Sequence, residues 1–447
     1  MQLFFSHLTG MAGTVITSSA LPDTDDLGTP QPRYTSALGA LTVLFFAFGF
    51  ITCLNDILIP FLKAIFGLTY AQANLINFCF FGAYFVMGIP AGTLVKRVGY
   101  KRGMLLGFII AAIGCFLFYP AAASRSYGLF LGSLFVLATG VVLLQVSGNP
   151  YVSILGPART ASARLTLTQA FNSLGTFLAP LVGSALILSH LPEQATAATA
   201  ASIDVKAVQI PYLFIGGVLL VLAGLLALLK MPQVRPTGAA PEAGRHAWHY
   251  RNLVLGMVGI FAYVGAEVAI GSHLVNYLGL PEVAGLSPKL AGDKLSFYWG
   301  GAMVGRFVGA YLLSRFRPSR LLVFNAVGAI VLIIISISTQ HELAMYSLLA
   351  VGLMNSLMFA TIFTLAVAGL GWHTEEASGL LNVAIVGGAV IPLLFGQLAD
   401  VSSLHWALLL PVVCYAYIAW YGLSGSAPQL ARYYQPEVPA QVPITGL

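Results

Sequence analysis

Charged residues are scarce in this chain. Only 8% of its 447 residues are Asp, Glu, Lys or Arg, whereas 58% are apolar. A soluble domain carries roughly a quarter charged residues, so this chain has too few to cover a surface that faces water. Apolar runs of the 18 or more residues needed to span a bilayer recur along nearly the whole length. The sequence therefore excludes a large soluble domain and predicts a polytopic membrane protein.

Cysteines and catalytic motifs are equally scarce. The four cysteines lie inside apolar runs without metal-ligand spacing, which argues against a disulfide framework and a zinc site. No P-loop, HExxH or GxSxG motif occurs, and no extramembrane segment is long enough for a catalytic domain. We therefore expect no enzyme, no ATP-driven step within the chain, no metal and no cofactor.

The apolar runs predict an all-α membrane protein with twelve transmembrane helices in two pseudo-symmetric six-helix halves. Predicted spans are at about 38–62, 72–95, 103–122, 127–151, 164–190 and 210–230, then 251–280, 295–315, 319–339, 343–371, 376–399 and 404–424. The expected divisions are a tail at 1–35, a first half at 36–230, a linker at 231–250, a second half at 251–425 and a tail at 426–447. The halves echo each other at an offset of about 212 residues, where Pro180 corresponds to Pro392.

Basic residues alternate between the loops and predict the orientation. With the N-terminus inside, 15 of the 21 Lys and Arg residues fall on the cytoplasmic face and five on the other, and Arg306 lies within the eighth span. Cytoplasmic loops are enriched in Lys and Arg, so both termini should be cytoplasmic, in a bacterial inner membrane. Topology also explains the net charge of +6 better than nucleic-acid binding does.

Two acids lie well inside predicted spans, and the first is Asp56, beside Asn55. A carboxylate there costs several kcal/mol unless it is protonated, paired or facing water. We interpret Asp56 as a proton or substrate site; the alternative is a helix-end acid paired with Lys63. Asn55 points about 100° away, so the two line a cavity only at its edges.

The second acid, Glu267, lies in a glycine-rich seventh span. Asn276 is about half a turn out of phase with it, so both reach one substrate site only if the helix unwinds near Gly271. The alternative is an interhelical hydrogen bond from protonated Glu267. Arg306 either pairs with an acid or reaches the cytoplasmic interface, and we favour a structural role that includes gating.

Amide side chains form two stripes in the first half. Gln145 and Asn149 share one face of the fourth span, and Gln169, Asn172 and Ser173 form a second stripe in the fifth. Uncharged amides both donate and accept hydrogen bonds, which suits the hydroxyls of a sugar. The alternative is hydrogen bonding between helices.

In the second half the candidate sugar ligands are Asn355 and Asn382, with Trp299 and Tyr298 as stacking surfaces. Aromatic residues at helix ends also serve as interface anchors. The short loop before the eleventh span carries three titratable residues that we expect to be solvated: His373, Glu375 and Glu376.

The loop after the second span contains Gly92, Arg97, Gly99, Lys101 and Arg102 and resembles the loop signature of the major facilitator superfamily. Lys96 stands where most of that superfamily has an acid, so the usual charge latch is not carried over. The more specific segments are LNDILIP (54–60), QVSGNPYV (145–152), RLTLTQAFNSLGT (164–176), YVGAEVAIGSHLVNYLG (263–279), GAMVGRFVGA (301–310) and NVAIVGGAVIPLLFGQLAD (382–400). Together they are similar to the fucose permease family, closest to its glucose/galactose porter branch.

The resemblance covers about residues 35–425 and implies a major facilitator fold and symport of sugar and proton by alternating access, with Asp56 as the proton site. Fucose permeases have a glutamate where this chain has Gln145, so glucose or galactose is favoured over fucose. The expected partners are a sugar, a proton and the lipid bilayer, with the chain acting as a monomer. Sodium coupling, another sugar such as N-acetylglucosamine, and a sugar sensor that does not transport are the alternatives.

Overall fold

A computed structural model describes residues 35–66, 70–186, 206–231 and 246–427 of the chain. Within these ranges every regular element is a helix. Nine helical segments there are long and apolar enough to cross a membrane, and α1, α5 and α8 bring the number of spans to twelve. The all-α prediction is confirmed. Except for Thr35, the predicted tail at 1–35 lies outside the described residues, as do most of the predicted linker and all but two residues of the predicted tail at 426–447.

The first six helices are continuous in the described residues. Their bounds are α1 Thr35–Phe66, α2 Tyr70–Val98, α3 Tyr100–Ala123, α4 Tyr127–Ile154, α5 Ala161–Leu186 and α6 Lys206–Leu228. Helices form here because a backbone surrounded by lipid must satisfy its own hydrogen bonds. Gly99 separates α2 from α3 at a φ of +84°, a conformation that a residue with a Cβ adopts only with strain.

Several spans of the second half are interrupted. Its first three helices are α7 Arg251–Leu278, α8 Pro288–Arg315 and α9 Pro318–Ser338. The tenth span consists of α10 His341–Asn355 and α11 Met358–Val367, and the eleventh of α12 Thr374–Val383, a 3-10 turn Ala384–Val386 and α13 Gly387–Val401. The twelfth consists of α14 Leu404–Ala407, α15 Leu409–Trp420 and a π turn Tyr421–Gly425. The interruptions of the tenth and eleventh spans place irregular backbone away from the ends of those spans, where carriers build binding sites.

The two halves pack through two main contacts, α2 against α12 and α5 against α8. In residue numbers, α8 follows α2 by about 212, and the eleventh span, which contains α12, follows α5 by the same offset. The α2–α12 contact and the α5–α8 contact are therefore formed by corresponding helices of the two halves. Such an arrangement is expected of two halves related by a pseudo-twofold axis.

The halves are in close contact at the end of the bundle that carries the α2–α3 loop and the α8–α9 turn, here called the basic end. A Cβ added at Gly379 would lie 2.6 Å from the carbonyl oxygen of Gly88, so the two backbones touch there. Across the same end, Ser162 Oγ and Thr364 Oγ1 are 2.6 Å apart, joining α5 to α11. The basic end is therefore closed in this structure.

Candidate functional site

The two amide stripes of the first half meet to form one polar surface. Gln145 on α4 donates from Nε2 to the Tyr84 hydroxyl at 2.8 Å. Asn149, one turn further along α4, accepts from Gln169 of α5 at 3.5 Å between Nε2 and Oδ1. Gln145 and Gln169 are each 8% exposed, and Asn149 is fully buried. The i, i+4 spacing in the sequence therefore translates into a shared surface between α4 and α5.

Asn172 contacts a different helix. Its Nδ2 donates to the carbonyl of Phe45 on α1 at 3.1 Å, so in this state the amide joins α5 to α1. Asn55 and Asp56 follow on α1, and Asp56 is seven residues beyond Gly49, the residue packed against Asn172. The side chains of Asn55 and Asp56 lie outside the described residues, and their proposed roles stay predictions.

Arg306 and Glu267 form a buried ion pair in the second half. The distance between Arg306 Nη2 and Glu267 Oε1 is 3.7 Å, and the side chains are 15% and 12% exposed. The Arg306 guanidinium also donates from Nε to the Ser356 carbonyl at 3.2 Å, and from Nη1 to Ser173 Oγ. One cation thus contacts α7, the break in the tenth span and α5 of the other half. Of the two predicted alternatives for Arg306, the structure shows pairing with an acid.

Asn355 is the centre of a tyrosine network. It is fully buried, accepts from the Tyr415 hydroxyl at 2.7 Å and donates to the Tyr298 hydroxyl at 2.9 Å. Tyr298 in turn donates to the Glu267 carbonyl at 3.1 Å, and the Tyr263 hydroxyl donates to the Asn355 carbonyl at 3.2 Å. Both the nitrogen and the oxygen of the Asn355 side-chain amide therefore have a partner in the protein.

Sequence reasoning missed Tyr263 and Tyr415 and considered Tyr298 only as a stacking surface. Their one sequence signal is a tyrosine well inside an apolar span, since a buried hydroxyl there needs a partner. The identity of that partner depends on how α7, α8, α10 and α15 pack.

Asn382 lies on α12, which packs against α4. Its Nδ2 donates to the Ser378 carbonyl at 2.9 Å, and Ser378 Oγ donates to the Val146 carbonyl of α4 at 3.0 Å. Asn382 Oδ1 and Asn149 Nδ2 are buried and make no hydrogen bond among the described residues. Buried polar atoms are normally paired. An unmatched acceptor and an unmatched donor on packed helices are therefore suited to a ligand that carries hydroxyls.

The structure does not bring Asn276 to Glu267. α7 runs without a break through Gly271, so the unwinding that the shared site required is absent, and Asn276 is exposed. Trp299 is 39% exposed and packs edge-on against Tyr298, with ring centroids 5.1 Å apart. Trp299 thus adjoins the tyrosine network, whereas Asn276 lies away from it because nine residues turn an unbroken helix about half a turn out of phase.

The loop signature between α2 and α3 contributes packing contacts within the protein. Lys101 donates from Nζ to the carbonyls of Ala227 and Leu229 at 2.8 and 2.7 Å, which fastens α3 to the end of α6. Arg97 and Arg102 are exposed, and no ion pair in the described part of the chain includes them. Gly92 packs against the backbone of α12 near Glu375.

The expectation that this loop is solvated is wrong for His373, whereas Glu375 and Glu376 are partly exposed. His373 is 3% exposed, with Nδ1 at 3.4 Å from Glu376 Oε2. Glu376 Oε1 accepts from the backbone N–H of Ala247 at 3.3 Å and lies 3.6 Å from His246 Nδ1. The chain that leads into α7 therefore covers this loop, a tertiary contact that local sequence does not encode.

Comparisons with known proteins agree with this geometry. A family model described as Major Facilitator Superfamily matches residues 3–383. A glucose/galactose transporter of Brucella abortus biovar 1 (strain 9-941) is 54% identical over 416 residues, covering 92% of this chain and 99% of that protein. The L-fucose-proton symporter of Escherichia coli (strain K12) is 33% identical, covering 91% and 97%. A crystal structure of the transporter FucP in the outward conformation aligns with a TM-score of 0.81 at 32% identity, covering 87% of this chain and 98% of that one.

Proposed function

Because the chain belongs to the major facilitator superfamily, we propose that it takes up glucose or galactose together with a proton by alternating access. It is a membrane transporter and not an enzyme, with the twelve-helix fold of that superfamily. Relatives named as a glucose/galactose transporter and a fucose-proton symporter support proton-coupled sugar uptake.

The observation that carries the proposed sugar site is the polar surface on α4, α5 and α12. It presents the amides of Gln145, Asn149, Gln169 and Asn382, and two of their polar atoms are unmatched. No acid lies on this surface among the described residues, so a neutral polyhydroxyl ligand suits it better than a cation. In the proposed cycle, sugar hydroxyls replace the weak 3.5 Å contact between Gln169 and Asn149.

Asp56 is the proposed coupling carboxylate. Burial disfavours the charged form of a carboxyl, so taking up a proton neutralises it before the loaded site reorients. One charge that moves down 100 mV releases about 2.3 kcal/mol, enough for about fiftyfold accumulation at about 1.4 kcal/mol per factor of ten.

Arg306 is proposed as the gating residue of the second half. Its bond to Ser173 joins the two halves, and a carrier that alternates must break such bonds together with the contacts of Gly88 and Ser162 at the basic end. Reversible hydrogen bonds suit this role because each contributes only about 0.5–1.5 kcal/mol between neutral groups and about 1.5–3 kcal/mol where one group is charged, as in the Arg306–Ser173 bond.

The proposed orientation in the membrane follows the distribution of Lys and Arg. The basic end faces the cytoplasm of a bacterial inner membrane, both termini lie on that side, and the chain acts as a monomer. The domain divisions of the proposal are 1–35, 36–230, 231–250, 251–425 and 426–447. Cysteine labelling from each side of intact cells at Arg97→Cys and Lys289→Cys tests the orientation, since these exposed sites lie at opposite ends of the bundle.

Counterflow in proteoliposomes is the experiment that tests the function. Labelled glucose and galactose should exchange into vesicles preloaded with either sugar, whereas fucose and N-acetylglucosamine should compete poorly. A protonophore should abolish accumulation, and replacing sodium with potassium should not. Sugar binding without any flux would instead identify a sensor, and sodium-dependent accumulation would contradict proton coupling.

A further inference from the structure

An apolar groove lies on the outer surface of the second half, along α9 and over α10. Its volume is about 510 Å³, within the range of about 300–1,000 Å³ typical of ligand sites. Phe324, Val327 and Val331 are 67%, 46% and 50% exposed on an apolar span, so this face meets lipid. The residues that line the groove are Val323, Phe324, Val327, Gly328, Val331, Leu332 and Met354.

The groove is apolar because the polar residue of this stretch turns inward. Asn325 is 6% exposed, and its Nδ2 donates to the Met354 carbonyl at 2.7 Å. Gly328 adds no side chain at the middle of the groove, where a Cβ would come within 2.7 Å of Met354 Sδ. The groove can therefore accommodate a hydrocarbon chain, because none of its lining side chains needs a hydrogen-bond partner.

Three arginines lie at the basic end of this groove, in the turn between α8 and α9. Arg315, Arg317 and Arg320 are exposed, and Arg320 is one helical turn from Phe324 on the same exposed stripe. None belongs to an ion pair within the part of the chain that the structure describes. Arg315 lies over the Tyr311 ring, 5.2 Å from its centroid. Positive charge therefore adjoins the open end of an apolar groove at the membrane boundary.

We propose that the groove and this arginine turn bind one anionic phospholipid. An acyl chain lies along α9, and the phosphate rests on the guanidinium groups, which match phosphate oxygens bidentately. Basic clusters next to a transmembrane helix attract anionic lipids. A second copy of the chain fits this face less well, because twofold pairing in one membrane brings the arginine turns of both copies to the same end, where they repel.

The charge test uses purified full-length protein and native mass spectrometry, with phosphatidylglycerol and phosphatidylcholine of identical acyl chains. Wild type should retain phosphatidylglycerol preferentially. The triple variant R315Q/R317Q/R320Q should lose affinity on the order of a hundredfold, since each arginine near an anionic headgroup contributes about fivefold. The matched control K96Q/R97Q/R102Q removes three exposed charges from the same end and should keep the wild-type preference.

The groove test is Val331→Trp, which fills the apolar channel and leaves every arginine in place. It should weaken phosphatidylglycerol binding about tenfold. Equal losses of phosphatidylglycerol affinity in the arginine variant and its control would show that surface charge in general, and not this site, attracts the lipid. That result would overturn the proposal. Unchanged binding in the arginine variant or in Val331→Trp would overturn it as well, and a dimer that Val331→Trp dissociates would assign the groove to a second copy. None of these outcomes depends on which sugar is transported.

Discussion

The polar surface on α4, α5 and α12 and the tyrosine network around Asn355 use their buried amides in different ways. On the polar surface, Asn149 Nδ2 and Asn382 Oδ1 are unmatched. In the second half, Asn355 sits beside a helix break, and tyrosines on α8 and α15 occupy both ends of its amide. Amides of the same type thus have different uses, depending on whether the protein itself supplies their partners.

A division of work follows from this difference. We expect the polar surface of α4 and α5, together with Asn382 on α12, to recognise the sugar, because Asn149 and Asn382 have spare hydrogen-bonding capacity. We expect the proton to bind at Asp56, on the first helix. We expect the second half to hold a rigid network and to gate through Arg306, which contacts both halves.

Asp56→Asn should abolish accumulation while keeping sugar exchange between equal pools. The amide mimics a permanently protonated carboxyl, so the carrier can reorient but cannot use the proton gradient. The measurement is uphill uptake and sugar-induced proton entry in proteoliposomes, where about fiftyfold accumulation should fall to equality. Asp293→Asn, which changes an exposed acid on α8, is the matched control and should accumulate normally. A D56N variant that still concentrates sugar would move the coupling elsewhere.

Arg306→Gln should impair transport and stability more than Glu267→Gln does. Removing one partner of a buried ion pair costs about 3–5 kcal/mol, and Arg306 also contacts Ser356 and Ser173. Glu267→Gln keeps the shape and should retain pH-dependent accumulation with altered affinity. Thermal unfolding in detergent and initial uptake rates test the order. The double variant should be milder than the sum of the two, and strict additivity would argue against the pair as a unit.

Alanine at Gln145, Asn149 or Gln169 should weaken sugar binding by about 1–3 kcal/mol, because a hydroxyl or a helix partner loses its hydrogen bond. Asn172→Ala should also weaken sugar binding, and in addition it should loosen α5 from α1. Isothermal titration with glucose and galactose measures both effects as changes in Kd. Asn252 is the control, since it is a buried amide that joins α7 to the Ala366 carbonyl at 2.9 Å, away from this surface. If none of the four variants changes Kd more than Asn252→Ala does, the amides serve only to join helices.

Tyr415→Phe should give the smallest effect on sugar affinity and a clear loss of stability. It removes the donor to Asn355 Oδ1 and leaves that buried acceptor unpaired, at a cost of about 1–3 kcal/mol. Thermal unfolding should report this loss, while Kd changes less than twofold. A large change in Kd with unchanged stability would place sugar at the tyrosine network and remove the contrast between that network and the polar surface on α4, α5 and α12.

The sequence alone was sufficient for the helices and for the polar stripes of the first half. Bilayer thickness and backbone hydrogen bonding leave few options for a chain this apolar, so span positions are readable from local composition. The stripe of Gln145 and Asn149 was similarly accessible, because i, i+4 spacing puts side chains on one helix face. The contact of Asn149 with Gln169 depends on how α4 packs against α5. Resemblance to known carriers added the family and the reason to single out Asp56.

Only the tertiary structure decided the partners of the second half. The break at Ser356, the three-way contact of Arg306, the covering of His373 and the separation of Asn276 from Glu267 all depend on how distant helices pack or on whether a helix continues. A helix face can be computed from residue spacing, whereas the group opposite that face comes from another part of the chain. Composition and periodicity thus determine a polytopic membrane protein with amide stripes, and packing determines which buried polar atoms find a protein partner and which stay available to a ligand.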